Sequence, residues 1–157
     1  WKSDVAKMLK WSNDGGPFGT TMYAGSPEHV IRVFSTSPLK VPNKALSKIG
    51  VIVIVDAIST GGRSVSRRVR ELALVVPEKS GKPKLITLVG WEPDLDQYNF
   101  MDSQLAISNL SKHLNLDIDK LESEINRLRR RLEAWIAIGT STTSEVRKAV
   151  NQYYINQ

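Results

Sequence analysis

The chain contains no cysteine, which excludes disulfides, thiolate metal centres and cysteine nucleophiles. A reducing compartment suits such a chain, and a cytoplasmic location is the expectation. Histidine is scarce as well. His29 and His113 are the only two, and neither has a helical partner or a carboxylate at ligand spacing, so both read as structural or surface residues and no metal or cofactor is expected. Long apolar runs are missing. The longest strongly apolar stretch, Val51 to Val55, is far too short to cross a bilayer, which takes about 20 apolar residues, so no integral membrane segment is expected. No signal-peptide pattern opens the chain; it begins at Trp1 rather than Met and reads as a fragment. A Gly-x-Ser-x-Gly elbow, a phosphate-binding lysine loop and a dinucleotide fingerprint are all absent. With no catalytic set to name, the chain reads as non-enzymatic.

What is present belongs to a folded protein. Of 157 residues, 41% are hydrophobic and 24% charged, an ordinary globular balance that argues against disorder over most of the length. Lys and Arg outnumber Asp and Glu by 22 to 16, a net charge of +6, which favours anionic partners such as nucleic acid or acidic lipid surfaces.

Three regions follow one another. Residues 1–14 read as an amphipathic N-terminal helix, with Trp1, Val5, Met8 and Trp11 near one face, before Gly15-Gly16-Pro17 breaks the chain. Residues 20–95 form a β-rich core. Within it His29 to Phe34, Val51 to Val55, Glu71 to Pro77 and Lys84 to Trp91 are candidate strands, and four in succession give an antiparallel meander. The link Glu78 to Pro83 has the Gly and Pro content of a hairpin turn. A second reading stays open for Ser64 to Val75, whose Val65, Val69, Leu72 and Val75 also fit a helix. Residues 101–157 form a helical association region of three helices. The first starts at Asp102 or Ser103, the second at Asn115 or Asp117 with Gly139 as its stop, and Thr142 to Glu145 fits a capping box for the last. The expected fold class is therefore α+β.

The strongest pattern is the seam Ile118, Leu121, Ile125, Leu128, Leu132 and Trp135, spaced alternately three and four residues apart. Such a 3.5-residue period lines one narrow helical stripe that needs another helix to cover it. Intermolecular coiled coil and intramolecular bundle both remain open. In a parallel pair Glu124 would face Arg129, while Asp117 and Glu122 would form a like-charged pair. Two arginine concentrations accompany the seam, Arg63, Arg67, Arg68 and Arg70 in the β-rich part and Arg127, Arg129, Arg130 and Arg131 beside the seam. Guanidinium groups suit phosphate because they present several donors in a plane.

The run Val51 to Ser64 also carries Asp56 and the turn Ser59-Thr60-Gly61-Gly62 after a hydrophobic strand. It resembles the diphosphate-ribose loop of type I phosphoribosyltransferases, which implies Asp56, Ser59, Thr60, Gly61 and Gly62 as a phosphosugar loop followed by a helix. Ala57 stands where that pattern has a second acidic residue, and Arg63 where it has a small residue or Thr. A phosphoribosyltransferase-like phosphosugar-binding domain is the alternative expectation. The leading one is a structural assembly protein that forms a homo-oligomer through its C-terminal helices and touches nucleic acid or an anionic membrane surface. Viral matrix, capsid and movement-type proteins share that division of labour, an analogy of architecture.

Overall fold

The computed structural model describes residues 7–8, 18–59, 65–101 and 103–155, without the side chains of Ser103 and His113. The chain divides into two compact units, Trp1–Ala106 and Ile107–Gln157. The amphipathic helix expected over 1–14 lies outside the described residues, apart from Lys7 and Met8, which are helical.

The first unit is a four-stranded antiparallel meander, β1 (Val51–Ser59), β2 (Val65–Pro77), β3 (Pro83–Glu92) and β4 (Gln97–Phe100), in the order β1-β2-β3-β4. An α+β fold is thereby present, with helices after the sheet. Two strands differ from the sequence expectation. His29 to Phe34 is not a strand but part of helix α1 (Pro27–Ser35), and the fourth strand is instead Gln97–Phe100, so Trp91-Glu92-Pro93-Asp94 leads into a turn rather than closing the β-rich part. The reason for α1 lies at its start. Ser26 accepts the His29 N–H on its side chain, Pro27 occupies the first turn and Glu28 adds an acidic residue there, a set of helix-start signals that outweighs the strand preference of Val30, Ile31, Val33 and Phe34. Ser64 to Val75 resolves the other way. Residues Val65–Pro77 are extended and pair with strands on both sides, Val53 opposite Leu72 and Leu74 opposite Ile86 among them.

Strand alternation decides the core. Ile52 and Ile54 point one way and join Val30 and Phe34 of α1, Val41, Leu46 and Val75 in a buried cluster. Val51, Val53 and Val55 point the other way and stay exposed. The short helix α2 (Asn43–Leu46) delivers fully buried Leu46 into that cluster. Buried Ser47 follows it, its hydroxyl within 3.1 Å of the Gly81 carbonyl in the β2–β3 turn and 3.0 Å of the Asn43 carbonyl. Register shifts interrupt β1–β2 at Ile54/Val55 and β2–β3 at Leu72/Ala73, the local kinks that let long strands twist.

Three helices follow, α3 (Ser103–Leu114), α4 (Ile118–Ala137) and α5 (Thr143–Ile155). Asp117 caps α4 by accepting the Asp119 N–H. Gly139, at φ 75°, ends it, with its N–H bonded to the Ile136 carbonyl and the Thr140 N–H to the Trp135 carbonyl; only a residue free of a Cβ takes that left-handed position without strain. The α5 start is a reciprocal capping box. The Glu145 N–H reaches Thr142 Oγ1, and the Glu145 carboxylate accepts the Thr142 and Ser141 N–H groups at 2.9 and 3.1 Å. Those backbone donors hold the Glu145 carboxyl below its ordinary pKa.

Leu46→Ala should lower the urea midpoint without changing the slope of the transition, with a loss of about 2–5 kcal/mol for truncating a fully buried leucine.

Candidate association surface and arginine groove

Helix α4 sorts its side chains by the period of the helix. Ile118, Leu121, Ile125, Leu128, Leu132 and Trp135 fall on one stripe, yet only Leu121 of the six is buried and Trp135 is half-buried. Ile118, Ile125, Leu128 and Leu132 are 44, 40, 45 and 53% exposed. A single chain leaves most of the seam in water. The reason is where α5 sits. Its buried Tyr153 ring lies under the Arg127 guanidinium at 5.0 Å and near that of Arg131 at 5.8 Å, two cation–π contacts. With heptad letters running from Ile118 as position a, Arg127 is c and Arg131 is g, whereas the seam is a and d. Helix α5 therefore covers the flank of α4 away from the seam.

That flank carries a groove of about 480 Å³ lined by Ser123, Arg127, Arg130, Arg131, Ala134 and Tyr153. Its arginines are not equivalent. Arg127 is tied to Glu124 at 2.7 Å one turn away, which raises the guanidinium pKa further. Arg129, on another face, pairs with Glu133 at 3.2 Å. Among the described residues no carboxylate pairs with Arg130 or Arg131. Tyr154, beside Tyr153 in an edge-on arrangement with ring centres 5.2 Å apart, is 70% exposed. The sequence named the arginines and missed Tyr153, because an aromatic at helical spacing on α5 reads first as core.

The other arginine concentration is mostly neutralised inside the sheet. Arg68 forms a two-pronged contact with Asp96, both N–O distances 2.9 Å, and Asp96 also accepts the Trp91 indole N–H at 2.8 Å. The hydrogen bonds from Arg68 and Trp91 lower the Asp96 pKa from 3.8 to about 2. Arg70 pairs with Asp56 at 3.0 Å and donates to the Gly25 carbonyl. Arg67 is exposed and, among the described residues, has no ion-pair partner. Arg63 lies outside the described residues. The four arginines close in sequence are thus separated by function in the sheet, two of them tying neighbouring segments together.

Thr60, Gly61 and Gly62 of the phosphosugar loop also lie outside the described residues, while Asp56 and Ser59 stand on β1. The helix implied after the glycines is instead strand β2, antiparallel to β1, so no helix N-terminus follows the turn. Asp56 is engaged by Arg70. A separate cleft of about 380 Å³ runs along β1, with Met8, Phe18, Met22, Val30 and Phe34 among its lining; none of its lining side chains is ionisable. Among the described residues no three His, Asp or Glu side chains gather to hold a metal, and no helix is long and apolar enough to cross a membrane.

No protein-family model matches the chain, and no curated protein matches it.

The Asp96 contacts give a pH dependence with a definite sign. A carboxylate whose pKa is lower in the folded state stabilises the fold above its unfolded pKa, and that contribution disappears as pH falls from about 4 through about 2. Thermal unfolding should therefore show the native protein losing its advantage over Asp96→Asn across that window, while the two stay parallel between about pH 5 and 7.

Proposed function

We propose that this is a non-enzymatic assembly protein, a homo-oligomer joined through its C-terminal helices, with a basic surface that contacts an anionic partner. The observation that carries the reading is the seam on α4, four of whose six side chains stay exposed although a neighbouring helix is available and packs on a different flank. Contiguous exposed apolar side chains on a helix mark an interaction surface. Their burial is worth about 1.5–3 kcal/mol per leucine or isoleucine, enough for several to drive association.

The anionic contact is supported by Arg130 and Arg131 in the α4 groove and by exposed Arg67. Nucleic acid is favoured over a membrane surface by the company these groups keep. Planar guanidinium groups beside an exposed tyrosine ring offer both phosphate contact and a stacking surface, whereas an interfacial lipid contact draws on a broad apolar face below the charges. Assembly on a polyanion in the cytoplasm would be the role shared with viral matrix, capsid or movement-type proteins. A phosphoribosyltransferase-like site draws less support, since Asp56 already holds Arg70 and a strand replaces the helix that would face a phosphate.

Light scattering should find the protein larger than a monomer at high-micromolar concentration. Leu128→Lys with Leu132→Lys should convert it to a monomer with unchanged circular dichroism, because both side chains are exposed in the single chain. A wild-type monomer under those conditions refutes self-association. For the second contact, binding of a single-stranded oligonucleotide and of anionic vesicles should be compared across salt. Arg67→Ser with Arg130→Ser should reduce the slope of log affinity against log salt for the oligonucleotide by roughly 1 to 2, as loss of two phosphate contacts requires. An unchanged slope would remove these arginines from the interface.

A further inference from the structure

We propose that the partner on the α4 seam is a second copy of α4 running antiparallel, with the twofold axis passing between Ile125 and Leu128. This rests on the self-association reading and adds to it the orientation and register. Helix α4 is 20 residues long, about 30 Å, so a pairing must use nearly its whole length to bury the seam. In the antiparallel arrangement each a side chain meets a d side chain. Ile125 meets the partner's Leu128, Leu121 the partner's Leu132, and Ile118 the partner's Trp135, and the twofold axis repeats each layer. All six seam residues then have a counterpart. The two central layers are built wholly from side chains exposed in the single chain. The bulky Trp135 is set against the smaller Ile118, whereas a parallel pair would force two Trp135 side chains into one layer.

Charge chooses the same orientation. The flanking positions of α4 are Glu122, Arg129 and Ile136 at e, and Asp117, Glu124 and Arg131 at g. Parallel helices bring g of one chain to the following e of the other, so Glu124 meets the partner's Arg129, but Asp117 meets the partner's Glu122 and Arg131 meets the partner's Ile136. Antiparallel helices bring e to e and g to g. Glu122 then meets the partner's Arg129, and Glu124 the partner's Arg131. Repeated by the axis, that makes four opposite-charge contacts and no like-charge contact, and Asp117 is carried beyond the last paired turn. The acidic first half and basic second half of α4 are what permit this, since reversal of one helix superposes acid on base along the whole seam. Helix macrodipoles also favour the reversed alignment. The covered flank is compatible with it, because Tyr153 packs on the side of Arg127 and Arg130 and leaves the a, d and e positions clear.

The chain's lack of cysteine makes the test clean. Glu124→Cys mixed with Arg131→Cys should cross-link through a short bis-maleimide, and Glu124→Cys mixed with Arg129→Cys should not. The reverse result means a parallel pair, which overturns the register while leaving self-association standing. A dimer by light scattering with neither cross-link overturns α4 as the interface. A wild-type monomer overturns the self-association reading and the register with it. A second arm is independent of the cysteine variants' own stability. Arg131→Glu should weaken dimerisation about tenfold by placing acids against acids, and Glu124→Arg added to it should restore the wild-type affinity. A parallel pair predicts no rescue, since Arg131 then faces Ile136 and Glu124→Arg would set like charge against the partner's Arg129.

Discussion

A strand that alternates its side chains can bury only one face against one helix, and the first unit is arranged around that limit. Ile52 and Ile54 turn toward Val30 and Phe34, with Val75 and Leu46 completing the cluster. Everything else in the unit either supports that contact or is left outside it. Helix α1 is started by Ser26 and Pro27 in the place that presents Val30 and Phe34 to β1. Helix α2 is only one turn long and serves to place Leu46. The hydroxyl of Ser47 then ties that turn to the β2–β3 hairpin, so that a polar group within the core has acceptors and costs little. The valines at 51, 53 and 55 are the consequence on the other face, apolar and exposed together.

The second unit obeys the same limit in helical form. A helix of 3.6 residues per turn can offer separate stripes to separate neighbours. On α4 the c, f and g side holds Tyr153 through guanidinium–ring contacts, and the a and d side holds aliphatic residues that a second helix could cover. An intramolecular contact made through arginine and tyrosine keeps the aliphatic stripe available while still fixing α5. The capping box of α5 and the glycine stop of α4 fix the short connection between them, which limits where α5 can lie.

Charge count overstated the basic surface of the sheet. Arg68 and Arg70 sit among residues that looked like one concentration with Arg67, yet each is matched by an acid from a distant part of the chain, Asp96 or Asp56. Their role is to join β2 to its surroundings. Exposed ion pairs of this kind contribute modestly to stability, and the two-pronged Arg68–Asp96 contact, completed by Trp91, has the most defined geometry of them. On α4 the pairs are local, so Arg127 and Arg129 are partly neutralised while Arg130 and Arg131 keep their charge for another partner.

Local sequence signals determined the elements whose reasons are local. The hairpin at Glu78 to Pro83, the Asp117 cap, the Gly139 stop, the Thr142 to Glu145 box and the two-sided pattern of α4 are each written within a few residues, because capping and periodicity act over one or two turns. Tertiary structure decided what depends on residues far apart. It made 29–34 a helix, where the Ser26-Pro27 start and packing of Val30 and Phe34 outweighed β-branched content. It made 65–77 a strand, since its pattern fitted helix and strand alike and only the ladders to β1 and β3 separate the two. It also paired Arg68 with Asp96 across 28 positions and set Tyr153 against Arg127, contacts that no local spacing encodes. The heptad seam was therefore legible from the start, while its exposure was not, because which face of a helix a neighbour will cover depends on the packing of the whole unit.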